Sequence, residues 1–342
     1  MNRCDSAPQA IQFKDNHGRG ISYLRLSVTD RCNLRCRYCW NTSNYSFMPH
    51  DHVLRYEEML ALVTAAHDLG VRKIRLTGGE PLVRKGIADF LGMVAERHPD
   101  MSIRMTTNAT LLAGQTRKLK ANGLHALNIS LDTLDASKFS AITGRDMFSR
   151  VMASIDEALD VGIKVKINVV AMRGVNDNEL PGFLKLAQNK DLDVRFIEYM
   201  PMGEATGWNQ SAYWSADDIL AESQTLVSLT PVEYVGGSHG PARMFTMQGG
   251  RGRLGVISPL SNHFCGSCNR LRITSDGKLR PCLFSDREFR LRPLLRSPKM
   301  GKQQLLKVIR LAMQNKPLGY EILCRQREKV SVASRRMSAI GG

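Results

Sequence analysis

The sequence predicts an α/β fold, an incomplete, TIM-like (β/α)6 barrel followed by a smaller C-terminal α+β domain. Two patterns predict it. Between Ile21 and Tyr199 short β-branched or apolar runs alternate with stretches of helical periodicity, and near Pro201 that beat breaks into short strands separated by glycine turns.

The expected strands of the first part are Ser22–Val28, Lys73–Thr77, Ile103–Thr107, Ala126–Leu131, Lys164–Val170 and Val194–Tyr199. Between them lie helical patterns such as Leu60, Val63, Ala66 and Leu69, then Phe90, Leu91 and Val94, then Ile155, Ala158 and Leu159. Gly70, Gly123 and Gly162 mark helix ends, each followed closely by the next strand. Sequential β/α units argue for a parallel sheet. Six units are too few for a closed eight-stranded barrel, so an incomplete barrel or an open sheet fits, with functional residues at the carboxyl ends of the strands.

After Pro201 the sequence predicts a helix over Asp217–Ser223 and strands over Val227–Val235, Ala242–Met247 and Leu254–Ile257. Asp276-Gly277 marks a hairpin between Leu271–Thr274 and Lys278–Pro281. This reads as a second, mixed or antiparallel unit packed after the barrel. The expected division is an N-terminal segment 1–20, a partial barrel 21–215 and a C-terminal domain 216–342. Gly250 to Gly255 formally matches a dinucleotide fingerprint, but no helix follows it, so the span reads as a hairpin turn.

Six of the eight cysteines fall into two groups of three, one in each half, and Cys4 and Cys324 stand outside them. Cys32, Cys36 and Cys39 fall within eight residues just after the first strand. Three thiolates on a cubane iron–sulfur cluster leave one iron open for a substrate or cosubstrate, whereas a closed zinc site requires a fourth ligand. The alternatives at this point are a zinc knuckle or a disulfide pair. Cys265, Cys268 and Cys282 repeat the number three, and His263 is close enough in sequence to complete a zinc site. A second cluster with an open iron, able to take a substrate nitrogen or oxygen, is the favoured reading. The C-terminal α+β domain is therefore expected to carry a second iron–sulfur cluster.

Composition narrows the partners. The chain has 342 residues, 43% of them hydrophobic, enough for a large core. No run of about 18 apolar residues and no apolar signal core are seen, so no membrane partner and a cytoplasmic location are expected. Clustered cysteines in a reducing compartment read as metal or cluster ligands. The net charge is +16, and from Leu283 onward 14 Lys and Arg face 4 Asp and Glu. That stretch offers only Phe284, Phe289 and Tyr320 for base stacking, which ranks a small polyphosphate substrate above nucleic acid.

Five segments carry a specific resemblance: LRLSVTDRC (24–32), KIRLTGGEPL (73–82), NISLDTL (128–134), RFIEYMPMG (195–203) and FCGSCNRLRITSDGKL (264–279). With the terminal MSAIGG (337–342), they resemble the GTP 3′,8-cyclase family of the radical S-adenosylmethionine (SAM) enzymes, from about His17 through Phe284 and again at the end. The resemblance implies two [4Fe–4S] clusters and SAM. Cys32, Cys36 and Cys39 would hold the SAM cluster, and Cys265, Cys268 and Cys282 the substrate cluster. Tyr38, Gly78, Gly79, Ser130 and Met200 would line the SAM pocket.

The implied reaction is conversion of GTP to (8S)-3′,8-cyclo-7,8-dihydroGTP, the first step of molybdenum cofactor (molybdopterin) biosynthesis, through a 5′-deoxyadenosyl radical that takes the C3′ hydrogen. Arg25, Lys73, Arg75, Thr106, Lys166, Arg195, Arg270, Leu271 and Arg272 would contact GTP. Lys73 with Arg75, and Arg270 with Arg272, alternate along strands, so each pair points to one face. Gly341 and Gly342 would thread into the active site and help position Arg25. The resemblance also implies an external one-electron donor, a homodimer and a functional handover to cyclic pyranopterin monophosphate synthase. The alternatives are a radical SAM peptide maturase with an auxiliary cluster and a zinc-stabilised nucleic-acid-binding protein. Trp40, Asn41, Ala109 and Tyr320 depart from the family pattern, and Ala109 matters if its backbone needs a positive φ.

Overall fold

The computed structural model describes residues 13–39, 47–202, 208–233, 240–299, 301–325 and 337–340. In chain order, β1 (Tyr23–Ser27), α1 (Tyr56–Asp68), β2 (Lys73–Thr77), α2 (Ile87–Arg97), β3 (Ser102–Thr107), α3 (Thr116–Ala121) and β4 (Leu124–Ser130) come first. They are followed by α4 (Ala136–Thr143), α5 (Phe148–Asp160), β5 (Lys164–Ala171), α6 (Leu180–Asn189) and β6 (Leu192–Glu198), which complete the six expected units. The rest comprises α7 (Ala216–Leu226), β7 (Leu229–Pro231), β8 (Arg243–Met247), β9 (Arg253–Ile257), β10 (Arg270–Ile273), β11 (Lys278–Arg280) and β12 (Phe289–Arg290). It closes with α8 (Arg292–Arg296), α9 (Lys302–Gln314), α10 (Gly319–Arg325) and α11 (Met337–Ile340).

Side-chain alternation explains the layers. Along β5, Val165, Ile167, Val169 and Ala171 are buried, while Lys166, Asn168 and Val170 between them line a central cavity. The helices supply the other wall of the core. On α5, Val151, Ser154, Ile155 and Ala158 are buried, and on α6, Leu180, Phe183, Leu184 and Ala187. Each such fully buried aliphatic or aromatic side chain contributes about 1.5–3 kcal/mol. Gly70, Gly123 and Gly162 stand where the sequence ends helices, all with positive φ.

The twelve strands form one sheet in the order β12-β11-β10-β1-β2-β3-β4-β5-β6-β9-β8-β7. The α/β class with six successive parallel units holds. The C-terminal strands, however, do not pack after the first sheet: β9 pairs parallel with β6, and β10 pairs parallel with β1. Strands from both sides of residue 215 thus share one sheet. Hydrogen bonding explains the difference, because β1 and β6 would otherwise be exposed edges with unpaired backbone groups. The antiparallel character is confined to β7-β8-β9 and β10-β11-β12.

The 250–255 span runs from the turn between β8 and β9, at residues 248–252, into the first residues of β9, with no helix after it, and Gly277 makes the β10–β11 hairpin turn with φ 77°. The described part of the basic C-terminal stretch carries the helices α8 to α11. Leu305, Leu306, Ile309, Ala312 and Met313 of α9 are buried and α9 packs on α1, leaving its Lys and Arg residues outward. Among the described residues no helix is long and apolar enough to cross a membrane.

Candidate active site

The sheet surrounds a cavity of about 560 Å3, lined by residues from β1 through β6 and from β9 and β10. The Cys32 loop hangs on β2 through two glycines. A Cβ at Gly78 would lie 2.4 Å from the Thr29 carbonyl oxygen, and one at Gly79 would lie 2.3 Å from that of Arg31. Only glycine permits this approach. Gly79 N–H then donates to the Thr29 carbonyl (2.9 Å) and Glu80 N–H to the Arg31 carbonyl (2.8 Å).

Glu80 is fully buried and accepts from Leu82 N–H (3.0 Å), Thr107 Oγ1 (2.7 Å) and Asn108 N–H (2.7 Å), although burial, outweighing these bonds, pushes its carboxyl up to about 7. Asn108 in turn directs its amide at Cys32 Sγ (3.7 Å), as Leu34 N–H does (3.4 Å). Both donors suit a thiolate sulfur. Cys36 and Cys39 line the same end of the cavity, and burial raises both thiols, Cys39 to about 12. All three cysteines are free of disulfides. Such thiols lose their protons only to a bound cation or cluster, which fits cluster ligation. Tyr38 donates to Asp132 Oδ2 (2.5 Å), a carboxyl that burial raises to about 6.

The second triad comes from two segments. Cys265 and Cys268 lie on the loop between β9 and β10, in and beside a 3₁₀ turn at Cys265–Ser267, and Cys282 follows β11. Glu198 at the end of β6 anchors that loop, accepting from Leu260 N–H (2.8 Å), Ser261 N–H (3.1 Å) and the Ser261 hydroxyl. Burial alone would raise the Cys268 thiol, but Arg270 and Lys316 bring it down to about 5. Lys316 is buried, and its ammonium donates to the carbonyls of Arg270 (2.8 Å) and Pro281 (2.7 Å), tying together the two cysteine-bearing arms. Arg19 donates to the Cys265 carbonyl (2.8 Å) from the other side. His263, the residue able to complete a zinc site on spacing, stacks instead on Tyr320 at 4.0 Å.

Between the triads lies a cationic floor. Register places Arg272, Arg25, Arg75 and Arg104 abreast on β10, β1, β2 and β3. Strands about 4.8 Å apart crowd these guanidinium groups. Burial, then repulsion from Arg272 and Arg75, holds Arg25 well below the usual arginine range, and burial with Arg270 brings Arg272 to about 10. Arg195 is also brought to about 10, chiefly by burial and then by Arg75. Arg195 donates to Asn168 (2.6 Å), while its Nε has no partner among the described residues. Its place depends on Gly255, where a Cβ would lie 2.9 Å from Arg195 Cγ. Lys166 pairs with Asp193, which also binds Arg253 at 2.8 Å. Arginines stay charged, so their depressed values express crowding that an anion would relieve.

Of the residues singled out in the sequence, Arg25, Lys73, Arg75, Gly78, Gly79, Thr106, Ser130, Lys166, Arg195, Met200, Arg270, Arg272, Tyr38 and all six triad cysteines line this one cavity. Leu271 is buried in the hydrophobic core between Arg270 and Arg272, and its side chain does not line the cavity. Gly341 and Gly342, with Trp40 and Asn41, lie outside the described residues. Ile340 is fully buried with Met202 and Phe284, next to Cys282 and Met200. Sequence reasoning missed Tyr23, Arg104, Asn128, Asp132 and Lys316, all of which line the cavity. Strand alternation from Arg25 and Thr106 points to Tyr23 and Arg104, whereas nothing in the sequence marks Lys316.

Comparison with known proteins places this geometry. The family described as Radical SAM superfamily matches residues 26–187, and the one described as Molybdenum Cofactor Synthesis C matches 192–322. The GTP 3′,8-cyclase of Syntrophomonas wolfei is 46% identical over 284 residues, 83% of this chain and 87% of that protein. The GTP 3′,8-cyclase of Alkaliphilus oremlandii is 41% identical over 331 residues, 96% of this chain and 100% of that protein. Among solved structures, Streptococcus suis SuiB bound to S-adenosylmethionine superposes with TM-score 0.61 at 17% identity, covering 90% of this chain and 69% of SuiB. The SuiB likeness concerns the fold alone. Identity above 40% over nearly the whole length concerns the family, and the chain belongs to the GTP 3′,8-cyclases.

Proposed function

We propose that this protein converts GTP to (8S)-3′,8-cyclo-7,8-dihydroGTP, the first step of molybdenum cofactor biosynthesis. One observation carries the reading: two cysteine triads and a row of arginines line a single cavity. Cys32, Cys36 and Cys39 would hold a [4Fe–4S] cluster, which with SAM would supply the 5′-deoxyadenosyl radical chemistry directed at the C3′ hydrogen of GTP. The remaining work belongs to side chains.

Arg25, Lys73, Arg75, Lys166, Arg195, Arg270 and Arg272 bind the triphosphate and leave the ribose facing the first triad. Thr106 and Asn128 are neighbours in register, and Asn128 Oδ1 is buried with no partner among the described residues, suited to a ribose hydroxyl donor. Tyr38, Gly78, Gly79, Ser130 and Met200 form the SAM end. Cys265, Cys268 and Cys282 would hold a second [4Fe–4S] cluster, which would supply an open iron for the guanine. Ile340 is buried beside Met202 and Phe284, and the Gly341 and Gly342 that follow it in sequence are assigned the role of positioning Arg25 and excluding water. The backbone on either side of Leu271 reaches the same substrate.

The proposal includes an external one-electron donor, a homodimer, a cytoplasmic location, a functional handover to cyclic pyranopterin monophosphate synthase and the division at residues 20 and 215. Peptide maturation is not favoured, because the relatives at 41–46% identity are GTP 3′,8-cyclases and residues 192–322 match the Molybdenum Cofactor Synthesis C family. Anaerobic incubation with SAM, dithionite and GTP, followed by mass analysis, tests the reading. A cyclised nucleotide is expected, and deoxyadenosine without any nucleotide product would refute it.

A further inference from the structure

Tyr23 has no part in the scheme above, yet it stands at the centre of the cationic floor. It lies two residues before Arg25 on β1, so both side chains leave the same face of the strand into the cavity. Its register partners are Lys73 on β2 and Arg270 on β10. The hydroxyl accepts a hydrogen bond from Arg75 Nε, and the Lys73 ammonium lies 5.7 Å from the ring centroid. A phenol so placed turns one guanidinium edge away from rotation and aims the rest of Arg75 at the cavity, where Nη1 reaches Thr106 at 3.5 Å.

We propose that Tyr23 is a positioning residue for the triphosphate, its hydroxyl orienting Arg75 and its proton required for the anion to bind. This deepens the GTP reading and rests on it. Among the described residues, the charged groups that act on Tyr23 include the cations Arg25 on its own strand, Lys73 and Arg75 on β2, Arg104 on β3, Arg195 on β6, and Arg270 and Arg272 on β10. Burial raises the phenol, but Arg75, Arg25 and Arg270 outweigh it and bring it down to about 8.

The sign follows from charge. Below that pH the phenol is neutral and the full cationic field meets the triphosphate. Above it, a phenolate satisfies part of that field and repels the nucleotide, so binding must take up a proton. Affinity then falls with rising pH, approaching about tenfold per unit.

The test is titration calorimetry of GTP on the anaerobic, cluster-loaded protein at about pH 7 and about pH 9, in paired buffers of different ionisation enthalpy. Wild-type affinity is expected to weaken about tenfold over that range, with roughly three quarters of a proton taken up per GTP near pH 8.5. Tyr23→Phe is expected to bind several-fold more weakly at pH 7 and to lose that pH dependence and that proton, while any titration of GTP itself stays common to both proteins. Equal slopes and equal proton counts in the two proteins would overturn the proposal. So would absence of proton uptake by the wild type, a result that needs no variant. Failure of the wild type to bind GTP at any pH would overturn the parent reading and this inference together.

Discussion

Around Cys32, Cys36 and Cys39 the charged neighbours include the carboxyls of Glu80 and Asp132, with Arg35 beside Cys32, whereas Cys268 and Cys282 lie beside cations, Lys316 for both and Arg270 for Cys268. The first triad sits in one short loop spliced to β2 by two glycines. The second is assembled from separate arms held by a buried lysine. This difference teaches how one cavity can serve two molecules of opposite charge. A sulfonium cation is tolerated at the carboxyl-bearing end, and a polyanion is drawn to the arginine floor and the cationic end.

Exchanging cysteines is the most severe way to break the comparison. Cys32→Ser, Cys36→Ser or Cys39→Ser is expected to abolish deoxyadenosine formation while the protein still folds. Cys265→Ser, Cys268→Ser or Cys282→Ser should remove about one cluster's share of iron and all cyclised nucleotide, yet leave uncoupled SAM cleavage. Iron and sulfide assays with chromatography of both products decide it. Loss of SAM cleavage in both sets alike would erase the division of labour, and zinc at the second triad would refute its cluster.

Next in size is the floor. Arg195→Met removes a guanidinium whose Nε lacks a partner and which is repelled by Arg75. A hydrogen bond to a charged group is worth about 1.5–3 kcal/mol, so KM for GTP should rise roughly 10- to 100-fold while SAM affinity stays constant. The ligand-free protein should melt no lower than wild type, because like-charge repulsion is relieved. A matching loss of SAM affinity would show that the two ends are not electrostatically separate.

These tests bear mainly on residues that the sequence exposed well. All six strands of the first part lie within two residues of their expected bounds, because β-branched runs and glycine stops are local signals. Lys73 with Arg75, and Arg270 with Arg272, were legible for the same local reason, strand alternation, whereas Arg25 was legible through the family resemblance of its segment. What stayed hidden was non-local. Parallel pairing of β9 with β6 and of β10 with β1 depends on edges far apart in sequence, and so does the Lys316 bridge between Arg270 and Pro281. Gly255 is visible as a glycine, but only the structure shows that Arg195 requires it.

A smaller effect is expected at the tail, to which the proposed function gives a role at the substrate end. Deleting Gly341 and Gly342, or undocking them with Ile340→Asp beside Met202 and Phe284, should lower cyclised product several-fold while SAM cleavage persists. Mass analysis of nucleotide and deoxyadenosine in the same reaction separates the two. Unchanged cyclisation in both variants would detach the tail from the active site.

The smallest effect belongs to the SAM end, at Ala109, which is the one non-glycine residue with positive φ (60°) among those described. Its backbone is pinned on both sides: its N–H donates to Thr107 Oγ1 (2.9 Å) and its carbonyl accepts from Ser154 Oγ (2.9 Å). The conformation is therefore imposed by neighbours that also set Asn108 against Cys32. Left-handed backbone costs an L-residue roughly 1–2 kcal/mol, which glycine would recover. Against that, Ala109→Gly removes a fully buried methyl, worth about 0.8 kcal/mol, and loosens the unfolded chain by about 0.4–1 kcal/mol. The terms nearly cancel, so stability should change by less than about 1 kcal/mol and SAM cleavage should be retained. Denaturant melts and deoxyadenosine assays check this. A large loss of SAM cleavage with unchanged stability would mean that the methyl itself, and not the backbone it accompanies, holds Asn108 to the first triad.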